Sequence, residues 1–264
     1  MISDRAHVDP SAKIGKDVTI HAFAYIDKDV EIGDGCEIMP YASVLRGTRL
    51  GANNKVYQGA VVGADPQDFR WKGARTYCIT GDKVTIREHV IINRGIYEGS
   101  ATRIGNKCFI MAETHIGHDC TIADKCVLGN GVKLAGDVRV DSCTVLSNAV
   151  ILNEKAHVGQ WCFIKGGTRI SSNVPPFTIM AHNPVSYYGV NSYLMGRDNR
   201  FSEDEIDDAA KAYRHLYQTQ TSTFNALKRI IADIEPGRVR DAIVDFVRDS
   251  NLKLAGVPYY ESGD

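Results

Sequence analysis

Read at every sixth residue from Val8, the chain is almost wholly aliphatic. Val8, Ile14, Ile20, Ile26, Ile32, Ile38, Val44, Leu50, Val56 and Val62 open the series, and the same phase returns at Ile86 and Ile92. It then runs unbroken from Ile104 to Ile170. Twenty-four of the twenty-eight positions are Ile, Leu or Val, where chance would give about six. Two residues before each aliphatic position stands a small or β-branched side chain, such as Ala24, Val30, Cys36, Ala42 and Thr48. Glycine often follows the aliphatic, as at Gly15, Gly33, Gly51, Gly105 and Gly117. A period of six belongs neither to a helix nor to a simple hairpin array. It suits short strands joined by tight corners, with the aliphatic residue inward and glycine relieving the backbone at the turn.

The series is interrupted at Asp68, Ala74 and Thr80, and again at Glu98. Residues 63–79 and 93–103 are therefore expected to bulge out as loops, where a regular solenoid tends to carry its binding chemistry. Six of the seven cysteines, Cys36, Cys78, Cys108, Cys120, Cys126 and Cys162, occupy the small position, and only Cys143 does not. They read as small buried thiols of a reduced compartment, not as disulfide partners or ligands. The rhythm stops at Val174-Pro175-Pro176, and beyond about Arg200 the pattern turns helical. Ser202 and Glu205 form a capping box ahead of a stripe of Ile206, Ala209, Ala210, Tyr213, Leu216 and Tyr217. Phe224, Leu227, Ile230, Ile231 and Ile234 make a second stripe, and Val239, Ile243, Phe246 and Val247 a third. The expected organisation is a repeat domain over 1–190 and a small helical domain over 191–264.

Charge narrows the partners. Thirty-one Lys and Arg balance thirty-two Asp and Glu for a net charge of −1, so no global field draws the chain to nucleic acid or an anionic membrane. No apolar run approaches the ~18 residues of a membrane span, and the amino terminus lacks a basic segment followed by an apolar one. The expected location is cytoplasmic, with no integral membrane segment.

Chemistry concentrates at His115-Ile116-Gly117-His118-Asp119-Cys120. Ile116 and Cys120 belong to the inward positions, which leaves His115, His118 and Asp119 near a corner and expected to be exposed. A neutral histidine is the usual general base for a hydroxyl, and a neighbouring carboxylate fixes its tautomer. One coil beyond His118 lies Gly136, and one further lies Glu154. The column above the candidate base thus lacks a side chain for a full coil, leaving a groove for a chain-like substrate. Gly136 as a plain corner residue is the competing reading. A zinc site would need His89 or His157 from a neighbouring copy beside His115 and His118, and no metal is expected. No phosphate-loop or dinucleotide fingerprint is present, and no cofactor is expected.

The hexads resemble those of the hexapeptide-repeat transferases, whose fold is a left-handed parallel β-helix with three hexads in each coil. That hand breaks the usual crossover rule and comes from the resemblance, not from composition. Within that class the chain is similar to the UDP-N-acetylglucosamine O-acyltransferases. The resemblance rests on Tyr57-Gln58, Gly63-Ala64-Asp65-Pro66-Gln67-Asp68, Ile86-Arg87-Glu88, Asn93-Arg94-Gly95, His115 to Cys120, Leu134-Ala135-Gly136, Val174-Pro175-Pro176 and Gly189-Val190-Asn191. It extends through the helical tail.

The resemblance implies transfer of a 3-hydroxyacyl chain from acyl carrier protein to the glucosamine 3-hydroxyl of UDP-N-acetylglucosamine, the first step of lipid A biosynthesis. It implies that His118 is the base, Asp119 its support and the Gly136 N–H an oxyanion donor. Gln67, Asp68 and His115 match sugar contacts, and Asn191 a nucleotide contact. Gly136 and Asn153 match positions that measure acyl length, where a bulkier residue would shorten the groove. Glu154 joins Arg70 and Arg197 among the implied substrate-binding residues. The family's loop lysine is Arg70 here, the residue after the glycine is Asp137, and a later groove histidine is Asn153. The phosphate-handling run is altered to Leu194 through Phe201, where Arg197 or Arg200 takes the role.

The resemblance also implies a homotrimer with clefts shared between copies. Lys211, Arg214, Lys228, Arg229, Arg238 and Arg240 offer a docking face for the acidic carrier, although Glu203, Asp204, Asp207 and Asp208 favour an ordinary solvated surface. The alternatives are an N-acyltransferase acting on a UDP-amino sugar, a sister acyltransferase with an additional amino-terminal domain, for which hexads beginning at Val8 leave no room, and a non-catalytic scaffold.

Overall fold

A computed structural model describes residues 1–219 and 221–256. The expected helical domain therefore ends, over 257–264, outside the described residues. The hexads form strands, most of two residues, that stack into three parallel sheets. Nine strands stack from His7–Val8 to Arg169–Ile170, and eight from Lys13–Ile14 to His157–Val158. Ten stack from Thr19–Ile20 to Ser186–Val190, where the last strand turns back antiparallel. Strand partners such as Val8 and Ile26 are eighteen residues apart, so each regular coil holds three hexads. The coils wind left-handed. The aliphatic positions point inward, with Ile20, Ile38, Ile86, Ile116 and Ile164 fully buried.

The small position proves to be more than small. Cys120 Sγ donates to the Ala135 carbonyl at 3.0 Å, Cys108 to Ala123 at 3.1 Å, and Thr114 and Thr144 to Gly129 and Gly159 at 3.0 and 2.7 Å. In each case a short side chain fifteen residues earlier satisfies a corner carbonyl that the ladder leaves over. Burial pushes the thiols of Cys78, Cys120 and Cys162 up to about 12, which keeps them neutral and inert.

The glycine after the aliphatic has a different reason from the one expected. The left-handed backbone falls two residues later, on Asp17, Phe23, Tyr41, Lys83, Asp119 and Trp161 among others. An L-residue gives up roughly 1–2 kcal/mol in that region, yet side chains of every kind occupy it. At Gly33 the constraint is contact instead. A Cβ there would lie 2.6 Å from the Gly51 carbonyl of the next coil. Glycine lets the coils approach.

Both loops are shorter than their expected spans. Residues 65–76 and 94–100 leave the coil, while Tyr77–Thr80 and Ala101–Ile104 are strands. Thr80 keeps its phase, pairing with Leu50 and Ile104 at 4% exposure. Asn54 makes this polar inward residue tolerable by donating to its Oγ1 at 2.8 Å. The pairings Leu50–Thr80 and Thr80–Ile104 span thirty and twenty-four residues, so the insertions are whole multiples of the six-residue unit. The coil also runs past Val174-Pro175-Pro176, since Thr178–Ala181 stacks on Phe163–Ile164 with Met180 buried.

Among the described residues four α-helices follow: α1 (Ser192–Gly196), α2 (Glu203–Tyr217), α3 (Thr223–Asp233) and α4 (Arg238–Arg248). The Ser202–Glu205 capping box is closed in both directions, at 3.2 and 2.9 Å. Ala209, Ala212, Tyr213 and Leu216 form the buried face of α2, with Tyr213 bonded to the Pro176 carbonyl at the end of the β-helix. On α3 the expected stripe is narrower. Ala226 and Ile230 are buried, but Phe224 and Ile231 face solvent.

Candidate active site

Ile116 and Cys120, both fully buried, anchor a corner between them, and Asp119 makes its turn in the left-handed region. His118 projects from this corner into a cleft of about 420 Å³ lined also by Gln67, Asp68, Arg70, His115, Gly136, Asn153 and Glu154. The imidazole is not exposed as expected: His118 is only 6% accessible. The covering groups come from sequence far away.

The two loops supply that cover and brace each other. Asn93 Nδ2 donates to the Asp65 carbonyl at 2.6 Å, and Arg94, buried beneath them, donates to the Gly63 carbonyl at 3.0 Å and pairs with Asp65. The Arg94 guanidinium lies 5.3 Å from the Trp71 ring centre. The second loop holds the support of the histidine. Ile96 N–H donates to Asp119 Oδ2 at 3.0 Å, and the same oxygen is 3.0 Å from His118 Nδ1. With Nδ1–H donated to Asp119, Nε2 is left as the basic nitrogen.

From the first loop Asp68 brings Oδ2 to 3.3 Å from His118 Nε2. The Arg70 guanidinium beside it holds the Asp68 carboxyl well below the usual carboxylate range. Arg70 Nη2 donates to Asp68 at 2.8 Å and to Glu154, two coils beyond His118, at 3.0 Å. His115 lies on the same sheet one step along, paired in register with Lys133. Burial, with Lys133 beside it, holds the His115 imidazole below the usual histidine value. It is therefore neutral at pH 7 and can hydrogen-bond a sugar without adding charge.

Gly136 is the tightest point of the cleft. A Cβ there would come within 2.3 Å of His118 Cε1 and Nε2, so the missing side chain first of all makes room for the imidazole. Its N–H is also open. At some corners the equivalent N–H donates to an Asp or Asn one coil on, as Asn106 does to Asp124 at 2.7 Å and Asn130 to Asn148 at 3.1 Å, whereas at others, His118 and Asp124 among them, it finds no acceptor among the described residues. At Gly136 the next-coil residue is Glu154, whose carboxylate turns to Arg70, and the N–H has no acceptor among the described residues.

Two expected contacts stand apart from this cleft. The Asn191 side chain is 3% exposed, and its Nδ2 donates to the Trp161 carbonyl at 2.8 Å. Arg197 lines a separate recess of about 230 Å³ with Lys125, Cys143, Trp161 and Arg200. Conversely, Asn93, noted in the sequence only as part of a matching motif, and Lys133, not noted at all, both line the His118 cleft. Counting one coil on from His115 would have found Lys133.

Residues 173–255 match the family model described as UDP N-acetylglucosamine O-acyltransferase, domain 2, and residues 101–136 match the bacterial transferase hexapeptide model of six repeats. Residues 2–100 match the model of a GMPPB C-terminal domain. An acyl-[acyl-carrier-protein]–UDP-N-acetylglucosamine O-acyltransferase of Campylobacter concisus is 34% identical over 241 residues, covering 90% of this chain and 91% of that protein. Its counterpart from Syntrophobacter fumaroxidans is 34% identical over 251 residues, covering 94% and 97%. The crystal structure of a UDP-N-acetylglucosamine acyltransferase from Bacteroides fragilis superposes with a TM-score of 0.94 at 38% identity, covering 98% of this chain and all of that one. With relatives this similar along nearly their whole length, the chain belongs to the UDP-N-acetylglucosamine O-acyltransferase family.

Proposed function

We propose that the enzyme transfers a 3-hydroxyacyl chain from acyl carrier protein to the glucosamine 3-hydroxyl of UDP-N-acetylglucosamine, opening lipid A biosynthesis. The observation that carries this reading is an Asp119-supported imidazole beside an unpaired Gly136 N–H. The sugar oxygen attacks the thioester carbonyl as His118 Nε2 takes its proton. Negative charge gathers on the carbonyl oxygen, where the Gly136 N–H receives it. Collapse breaks the C–S bond, and the imidazolium returns its proton to the departing thiolate. Asp119 holds the imidazole and offsets its charge while it is protonated.

Gln67, Asp68 and His115 take the sugar, and Arg197 meets the nucleotide phosphates. Because Arg197 sits in a different recess of the same chain, a homotrimer in which a neighbouring copy completes each cleft fits its role. The division into an acyltransferase domain over 1–190 and a helical domain over 191–264 follows the same reading. No helix among the described residues is long and apolar enough to cross a membrane, which accords with work in the cytoplasm on a protein-borne acyl chain.

A transfer assay with UDP-N-acetylglucosamine and 3-hydroxyacyl carrier proteins of increasing length should give product with one sharp optimum. Product only with a 3-amino sugar nucleotide would make the enzyme an N-acyltransferase, and no product with either would sink the reading.

The carrier's docking face can be narrowed. Lys211 and Arg214 pair with Asp207, Arg238 with Glu205 and Arg240 with Asp241. Lys228 and Arg229 on α3 have no carboxylate partner among the described residues, and they stand beside exposed Phe224 and Ile231. Unpaired cations with an apolar stripe suit an acidic amphipathic partner. Reversing both charges (K228E/R229E) should raise KM for the acyl carrier about three- to tenfold and leave KM for the sugar nucleotide where it was. Equal KM values for the carrier would move the docking face elsewhere.

A further inference from the structure

The nitrogen that must accept the sugar's proton is already covered. Asp68 Oδ2 lies 3.3 Å from His118 Nε2, so an oxygen stands close to where the substrate hydroxyl has to arrive. Asp68 is held there from one side only. The Arg70 backbone N–H and Nε both reach Asp68 Oδ1, at 2.7 and 3.0 Å, and Nη2 reaches Oδ2 at 2.8 Å. Three contacts make Asp68 and Arg70 one unit. The unit's anchor to the β-helix on the far side of Gly136 is a single bond, Arg70 Nη2 to Glu154 Oε1 at 3.0 Å. A chain of groups from Glu154 through Arg70 and Asp68 to His118 therefore crosses the groove above the gap that Gly136 leaves.

We propose that Glu154 is a positioning residue: its ion pair with Arg70 latches Asp68 over His118 Nε2 in the unliganded enzyme, and the sugar hydroxyl enters by displacing Asp68 as that pair opens. The inference rests on the acyl-transfer reading and adds to it a resting state in which the base is shielded. It also gives Glu154 work other than touching substrate. Weak anchoring is what a latch requires. The Arg70 and Glu154 side chains are 42% and 45% exposed, and exposed pairs of this kind are individually weak, so one incoming hydroxyl can open it.

Glu154→Gln keeps the shape and removes the charge. Its KM for UDP-N-acetylglucosamine should fall two- to fivefold, equivalent to about 0.4–1 kcal/mol. Rising salt screens an exposed pair, so the ratio of the two proteins' KM values should approach one at high ionic strength. In the ligand-free proteins, the imidazole nitrogen-15 resonance of His118 Nε2 should move in Glu154→Gln and stay in place in Glu235→Gln, a control on the helical domain. A KM that rises or does not change, or an unmoved resonance, overturns the latch. If the unaltered enzyme neither binds the sugar nucleotide nor transfers an acyl chain, the acyl-transfer reading fails, and the resonance comparison still decides whether Glu154 positions Asp68.

Discussion

His118→Ala should lower kcat/KM by about 10²–10⁴ with every acyl donor, the range expected when a general base is lost. The loss should fall on kcat, because the imidazole acts on a proton that moves only as the carbon–oxygen bond forms. Ile116 and Cys120 on either side are fully buried core residues, so the corner has its own reasons to fold. The variant should keep the circular dichroism and oligomeric size of the parent. Near-normal turnover with an intact fold would remove His118 from the chemistry and leave only the unpaired N–H of Gly136 to explain the cleft.

Gly136→Ala should be nearly as damaging although it adds one methyl group. The new carbon would sit 2.3 Å from His118 Cε1 and Nε2, and alanine has no side-chain rotation that could move it away. The imidazole would have to swing away and give up its 3.0 Å contact with Asp119. A displacement of about an ångström in a reacting group can cost 10²-fold in rate, and that loss should appear equally at every acyl length. The expectation attached to this glycine from its resemblance was different: a larger residue should shorten the groove and move the optimum to shorter chains. Measuring kcat/KM across acyl lengths separates the two. A shifted optimum with kcat retained would restore Gly136 as a ruler and refute the steric account.

The β-helix could be read from the chain because a period of six is enforced locally. Each Ile, Leu or Val must point inward wherever it falls, so the signal repeats with every coil. The hand of the helix could not be read this way and came from resemblance. Corners were the least visible part. The left-handed residues Asp17, Lys83, Asp119 and Trp161 share a backbone and no side-chain property, so in the sequence only the glycines two positions earlier stand out. Thr80 counts as an interruption of the aliphatic series because a polar inward residue looks like a break until Asn54, twenty-six residues earlier, is seen to bond it. On α3, helical periodicity placed Phe224 and Ile231 with the core, but only tertiary packing decides how much of an apolar stripe is covered. The site was legible as His115, His118 and Asp119. Its closure was not, because Asp68 arrives from fifty residues away along a loop whose course no local pattern specifies.

The stacking of the coils gives the cleft a directional stiffness. Asn93, His118, Gly136 and Glu154 lie on four successive levels, each joined to the next by ladder hydrogen bonds between parallel strands. Along the axis their separations are multiples of the ~4.8 Å strand spacing, which the backbone maintains with no help from side chains. Across the axis the wall is a loop tied down by a solvated ion pair. Such a cleft is rigid along its length and compliant in its width: it can widen for a sugar without changing the span against which a chain is measured.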